Sequence, residues 1–245
     1  MNWKAWASAA FAVAAIAFIV WRWRESFADR PPDWLRQQDK HSVKLPDASL
    51  KNFTAFRKEV ELESRQRHLP VGTIQFFEVA RDGKETIAWN SLRLTNQGFN
   101  PNADFDQPGS GEEQRLLGFY TLDGAPLGYT VKHHPSRPRA FYVIVHLEKP
   151  IAPGQSAMLL RIDRRPLNLK PNSKGQMQFG LGRFAKPTAM IHGRAVSLPE
   201  RAKLVQYRPE TGAFEFTGDP PLVGWINACL DTNFPPLSAT FTLPR

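Results

Sequence analysis

After Pro70 the chain alternates between apolar and polar residues with a period of two, broken every eight to twelve residues by turn formers. This is the pattern of half-buried strands. Residues 73–80 (TIQFFEVA) and 85–94 (ETIAWNSLRL) flank Asp82-Gly83 and read as a hairpin. Residues 96–113, rich in Asn, Gly, Pro and Asp, read as a loop. Strands are then expected at 115–122, 127–133, 140–147 and 156–163, with turns at Asp123-Gly124 and 150–154. Six more follow at 177–182, 188–197, 202–208, 213–217, 222–230 and 238–243. In 140–147, Phe141, Val143, Val145 and Leu147 alternate with Tyr142, Ile144 and His146, so both faces are apolar and a central position is expected. The 21 prolines fall between short apolar runs, which suits strands and turns better than helices. Many short strands at this spacing predict a sandwich or a barrel.

The first 70 residues follow another pattern. Residues 5–21 carry no charge, and Trp3, Trp6, Trp21 and Trp23 sit at the two ends. An apolar run near the minimum length of a bilayer-spanning helix, with tryptophans at both boundaries, predicts a transmembrane signal anchor over 1–25, with the membrane contacted through residues 3–23. A cleaved signal peptide is the alternative, with Lys4 before the apolar core and Ser26-Phe27-Ala28 after it, although Arg22 and Arg24 count against cleavage there. The charge flanks oppose export: Arg22, Arg24 and Arg30 outnumber Lys4, and the positive-inside rule favours a cytoplasmic C-terminus. A short N-terminal anchor ahead of a β-rich domain points the other way, to a periplasmic domain. Residues 26–46, with Pro31-Pro32 and Pro46, read as a polar tether. Asp47 is placed to cap an amphipathic helix, assigned 47–69, in which Leu50, Phe53, Phe56 and Val60 form the apolar stripe. Residues 70–245 form the β domain, about 175 residues and enough for a sizeable core.

Charge changes this picture locally. The chain carries +9, and residues 161–208 hold eleven Lys and Arg against Asp163 and Glu200, which accounts for the whole excess. A concentrated basic field attracts phosphates, anionic lipid or acidic polymers. The candidate contact residues are Arg161, Arg164, Arg165, Lys170, Arg183 and Lys186. Phe179, Phe184 and Tyr207 interleave with basic residues as in single-strand binders, but an exported domain rarely meets nucleic acid. Cys229 is the one cysteine, so no intrachain disulfide and no cysteine-based zinc cluster is expected.

The order of features over about 117–243 carries a resemblance. Thr121-Leu-Asp-Gly-Ala-Pro-Leu127 is strand, turn, strand. Val143-Ile-Val-His-Leu-Glu-Lys-Pro-Ile-Ala-Pro-Gly154 is a strand followed by a P-x-x-P-G corner, and Val196-Ser-Leu-Pro-Glu-Arg-Ala-Lys-Leu-Val205 is a further strand. This resembles immunoglobulin-like β-domains of bacterial envelope proteins. It is similar to the N-terminal β-domains of zinc aminopeptidases and to uncharacterised domains fused to some bacterial sigma factors. The resemblance implies a mainly β, immunoglobulin-like sandwich. It implies no peptidase chemistry, because the chain has no His-Glu-x-x-His, and no sigma-like DNA-binding helices are evident.

The remaining chemical signals are sparse. Adjacent His133 and His134 would point to opposite faces of a strand and chelate poorly. His146 reads as a packed core or edge histidine. Asn102, Asp104, Asp106, Ser110 and Glu113 match the spacing of a calcium loop, but Gln107 stands where glycine is needed. There is no Gly-x-Ser-x-Gly elbow and no phosphate loop. No cofactor and no catalytic residue is assigned. The expected function is a membrane-tethered extracytoplasmic binding or assembly module whose basic surface meets an anionic envelope component or an acidic protein. An envelope enzyme with an unrecognised site and a cytoplasm-facing tethered regulator are the alternatives.

Overall fold

The computed structural model describes residues 42–108, 115–133, 141–182, 189–209, 213–216, 220–228 and 236–243. The anchor expected over 1–25, most of the tether, and Cys229 lie outside them. Among the described residues no helix is long and apolar enough to cross a membrane.

The described chain is one helix and thirteen strands. They are α1 (Asp47–Arg67), β1 (Val71–Val79), β2 (Glu85–Thr95), β3 (Asn102–Pro108), β4 (Arg115–Thr121), β5 (Pro126–His133), β6 (Phe141–Ile151) and β7 (Ser156–Pro166). There follow β8 (Gln176–Leu181), β9 (Ile191–Ser197), β10 (Lys203–Arg208), β11 (Ala213–Phe216), β12 (Leu222–Ala228) and β13 (Leu237–Thr242). Ten strands form one sheet in the order β11-β12-β9-β1-β2-β7-β4-β5-β6-β3, and β10-β13-β8 form a second. The fold is mainly β with sandwich-like sheets. Its sheets are more unequal than the immunoglobulin-like arrangement expected, and β1 pairs with β9 in parallel. That parallel pair needs the long crossover between β1 and β9, which period-two patterning cannot reveal.

The large sheet is covered differently on its two faces. On one face α1 lays Phe53, Phe56 and Val60, all fully buried, against Ile74, Phe76, Trp89, Leu160, Ile162 and Ile191. Full burial of such side chains contributes about 1.5–3 kcal/mol each. Phe53 stacks on Trp89 at 5.4 Å between ring centroids. Gly193 of β9 permits this approach: a Cβ there would lie 2.4 Å from Val60 Cγ2 and 2.9 Å from Phe56 Cζ. Arg57 Nη1 donates to Leu122 O at 2.8 Å, tying the helix to the β4–β5 turn.

The opposite face is covered at both ends. At one end β10-β13-β8 packs Phe179, Leu237, Ala239 and Phe241 onto Phe77, Val79, Ala88, Val196, Val223 and Trp225. At the other end the sheet folds back on itself. β4 and β5 share only two residue pairs, Phe119↔Leu127 and Tyr120↔Pro126, before β5 continues along β6. Tyr129, Val143 and Val145 thereby close over Leu94, Leu116, Phe119 and Leu159. Ser42 fills this corner, with its Oγ bonded to Phe119 O at 2.8 Å and Leu127 O at 2.9 Å. The last residues assigned to the tether are therefore attached to the sheet.

Several local expectations change. Pro46, with extended backbone, occupies the N-cap without a side-chain cap bond, and Asp47 is the first helical residue, where its charge suits the helix dipole. Residues 102–108, assigned to a loop, form β3, whose alternation the Asn and Pro content hides. β6 is the second strand from an edge, with Val143 and Val145 buried and Tyr142, Ile144 and His146 only partly so. The Asp82-Gly83 hairpin is present, Lys84 N bonding to Asp82 Oδ1 at 2.9 Å and Gly83 taking φ 67°.

Candidate functional site: a donor-lined cleft between two central strands

Register and alternation determine what lies between the two cores on the face opposite α1. On β1, Phe77 and Val79 belong to one core and Gln75 comes next on the same face. On β2, Ala88 precedes Asn90, and Leu94 reaches the other core. On β7, Leu159 lies in that core, while Arg161, Asp163 and Arg165 continue along the face; Arg161 sits opposite Asn90 and Asp163 opposite Ala88. On β9, Arg194 pairs with Gln75. The strip between the cores is thus polar and carries three arginines with one acid.

A cleft opens in this strip because β1 and β2 part. Their ladder ends at Gln75↔Asn90, although β2 stays paired with β7 as far as Thr95. At the parting point the Ile74 N–H is accepted by Ser91 Oγ at 2.7 Å. On its other side β1 shifts register against β9 between Val71 and Ile74. There the Thr73 N–H donates to His192 Nδ1 at 3.1 Å, and the imidazole lies where a Cβ on Gly72 would be. The resulting groove measures about 460 Å³, with Thr73, Gln75, Asn90, Arg161, Asp163 and Arg165 among its lining residues and Arg93 at its edge.

Its polar groups form two connected sets. Asp163 is 1% exposed, and Arg161 embraces it, Nε at 3.1 Å from Oδ2 and Nη2 at 3.2 Å from Oδ1. Arg165 Nη2 approaches the same carboxylate at 3.7 Å. The second set starts from Arg194, buried at 6% exposure, whose pKa is lowered to about 10 by desolvation and which is therefore cationic at neutral pH. Its Nε donates to Gln75 Oε1 at 3.0 Å, and Gln75 Nε2 donates to Asn90 Oδ1 at 3.2 Å. Arg194 Nη1 donates to Gly182 O at 2.7 Å, just past β8. Burial lowers the pKa of His192, and with Nδ1 accepting from Thr73 the neutral ring carries its proton on Nε2.

The four described candidate contact residues, Arg161, Arg164, Arg165 and Lys170, do not form one patch. Arg161 and Arg165 line the cleft. Arg164 points to the helix-bearing face, where its Nε lies 3.7 Å from Glu85 Oε2. Lys170 is exposed in the β7–β8 connection. Arg183 and Lys186 lie outside the described residues. Reading the basic stretch as one surface overlooked the alternation of β7, which sends neighbours to opposite faces. Sequence reasoning also missed Gln75, Asn90 and Arg194, the first two facing each other across the β1–β2 hairpin and the third 119 residues beyond Gln75; a polar residue in the middle of each strand was the available signal. Phe179 is buried in a core and offers no stacking surface.

A second convergence lies on the outside of the folded-back strands. His146 Nδ1 is 2.8 Å from Asp104 Oδ1, and its Nε2 is 2.8 Å from Thr130 Oγ1. His146 and Asp104 are both well exposed, on an open sheet surface. Asn102, Asp104 and Asp106 stand on strand β3, not in a calcium loop, and Ser110 and Glu113 lie outside the described residues. Among the described residues no three potential ligands gather for a metal. The backbone of His133 belongs to β5, and His134 lies outside the described residues.

On the helix side, Glu78 accepts from Trp89 Nε1 at 2.8 Å. Burial raises its pKa above the usual carboxylate range, and hydrogen bonds from Ser49 and Trp89 only partly oppose this.

No known protein family and no curated protein matches the sequence. Among solved structures, the chain is similar to an M1 zinc metallopeptidase from Deinococcus radiodurans, with a TM-score of 0.38, 16% identity, and coverage of 71% of this chain and 42% of that one. It is similar also to leukotriene A4 hydrolase from Saccharomyces cerevisiae, with a TM-score of 0.39, 6% identity, and coverage of 70% of this chain and 29% of that one. The chain spans less than half the length of either protein.

Glu78 generates a pH prediction. A carboxyl whose folded pKa is raised leaves the fold fully stable below the unfolded pKa and costs stability as pH rises through the folded value. Glu78→Gln keeps an acceptor for Trp89 and removes the titration. Thermal melts should show the variant more stable than the parent at pH 8, with the gap closing as pH falls and gone below the ordinary carboxylate pKa. A gap that persists in acid would contradict this origin.

Proposed function

We propose that this chain is a membrane-tethered extracytoplasmic binding module that holds an anionic component of the cell envelope, or an acidic protein, in the cleft between β1 and β2. The observation that carries the reading is the grouping of Arg161 and Arg165 around a single buried acid, with Arg93 at the edge of the same groove. Arginine is suited to this because its planar fork of donors matches oxyanions and stays charged at every physiological pH. The tether supports the reading sterically. Residues 26–41 between the proposed anchor and Ser42 reach at most about 55 Å, so the domain stays close to the bilayer surface.

An envelope enzyme is the second reading, favoured by the Thr130–His146–Asp104 chain of hydrogen bonds. A base bonded on one side to a hydroxyl and on the other to a carboxylate is the arrangement of an activated nucleophile. Its exposure, with the His146 side chain 42% and the Asp104 side chain 64% accessible, favours the binding reading.

The test uses full-length protein in neutral detergent and polyaspartate as the anionic probe. Retention should weaken as salt rises. It should fall by about tenfold or more in an Arg93→Glu, Arg165→Glu double variant, since charge-assisted contacts are the strong ones. Unchanged retention in a folded variant would sink the proposal. In cells, protease should remove a C-terminal tag before the inner membrane is broken; protection until lysis would overturn the extracytoplasmic half of the reading.

A further inference from the structure

The chemical class of the ligand follows from which ends of the polar groups remain to face it. Arginine has donors only, so Arg194 Nε can meet Gln75 only through the carbonyl oxygen of the amide. That orients the Gln75 amide and sends its Nε2 toward Asn90, which must in turn present its own oxygen. Each amide is thereby held one way round, and what Asn90 has left to offer is the N–H end of its side chain. A chain of hydrogen bonds running in one direction polarises its members, and this one starts from a buried cation, which makes the terminal donors stronger.

Arg165 leads to the same conclusion independently. Its side chain is 32% exposed, and its Nη2 stands off at 3.7 Å from Asp163, too far for a full hydrogen bond. A terminal guanidinium nitrogen held this loosely can donate a charge-assisted bond to an oxygen that enters the groove. Asp163, the one acid lining the cleft, is already held by Arg161. Among the charged and amide side chains the cleft therefore offers donors beside one acid already engaged, with Gly72 and Leu92 giving it an apolar margin.

We infer that the cleft is a carboxylate site, with Arg165 and the Nδ2 of Asn90 as its principal donors and Arg194 as a positioning residue acting through Gln75. The inference rests on the reading of the cleft as a binding site and narrows it to a planar monoanion at the end of a small molecule or peptide chain.

Isothermal titration of the full-length protein in neutral detergent tests it, with acetyl-alanyl-alanine, its C-terminal amide and inorganic phosphate as probes. The free acid should bind saturably, and the amide about tenfold more weakly or worse, the usual discrimination when a charge-assisted bond is lost. Arg165→Gln and Asn90→Ala should each weaken the acid by about tenfold with the melting temperature retained; Thr73→Val serves as a third probe if either fails to fold. Equal binding of acid and amide, no saturable binding of the acid, or full affinity in folded Arg165→Gln would overturn the inference. Phosphate binding without acid binding would overturn it too, while leaving the broader anionic reading in place. Acid binding in a protein that ignores polyaspartate would support this site and count against a macromolecular anion as its occupant.

Discussion

A buried carboxylate sets the terms for the middle of this protein. Asp163 lies on a central strand, almost without solvent, and an unpaired charge in such a place is not sustainable. Arg161, two residues away on the same face, supplies a multiply bonded partner, and Arg165, two residues away in the other direction, supplies a second cation. Breaking such a pair by removing one partner commonly costs about 3–5 kcal/mol, so the arrangement is self-enforcing. Its consequence is a sheet that cannot be covered by apolar side chains at this point. The three-stranded sheet covers one side of it and the folded-back strands cover the other. The parting of β1 and β2 at Ser91 then turns an uncovered strip into a cleft.

The helix makes this tolerable. With α1 sealing the opposite face through Phe53, Phe56 and Val60, the parted strands are held from behind and the opening stays on one side. The close seat on Gly193 and the Arg57 bond to the β4–β5 turn fix the helix across the sheet. Glu78, which accepts a hydrogen bond from Ser49 near the start of the helix, is an acid on that side whose burial works against stability at neutral pH. The helix-bearing face is thus sealed across its middle, while the opposite face is packed at both ends and exposes polar groups between them.

Strand positions were legible in the sequence because alternation is a local signal, and residues such as Phe76, Phe77 and Val79 announce their strands without help. Pairing was not legible. The parallel contact of β1 with β9 joins residues about 120 apart, such as Gln75 and Arg194, and nothing in either segment names the other. β3 is hidden in the sequence because Asn102, Asp104 and Asp106 occupy its outward positions, where polar residues cost a strand nothing. The basic stretch was visible as composition, yet alternation divides it, leaving Arg161 and Arg165 in the cleft and Arg164 on the far side. Asn90 and Gln75 became functional candidates only when the register placed them beside Arg194, since a lone amide in a strand carries no chemical message of its own.

The central claim is that the polarity of the cleft is fixed by the chain from Arg194 through Gln75 to Asn90, with the donors of Asn90 facing the ligand. Side-chain amide NMR of Asn90 in the full-length protein, in neutral detergent, tests this most directly. On adding acetyl-alanyl-alanine the Asn90 Nδ2 resonances should move saturably, and the movement should vanish in an Arg194→Met variant that still melts cooperatively. Resonances that stay fixed while the ligand binds, or that move equally without Arg194, would contradict the account.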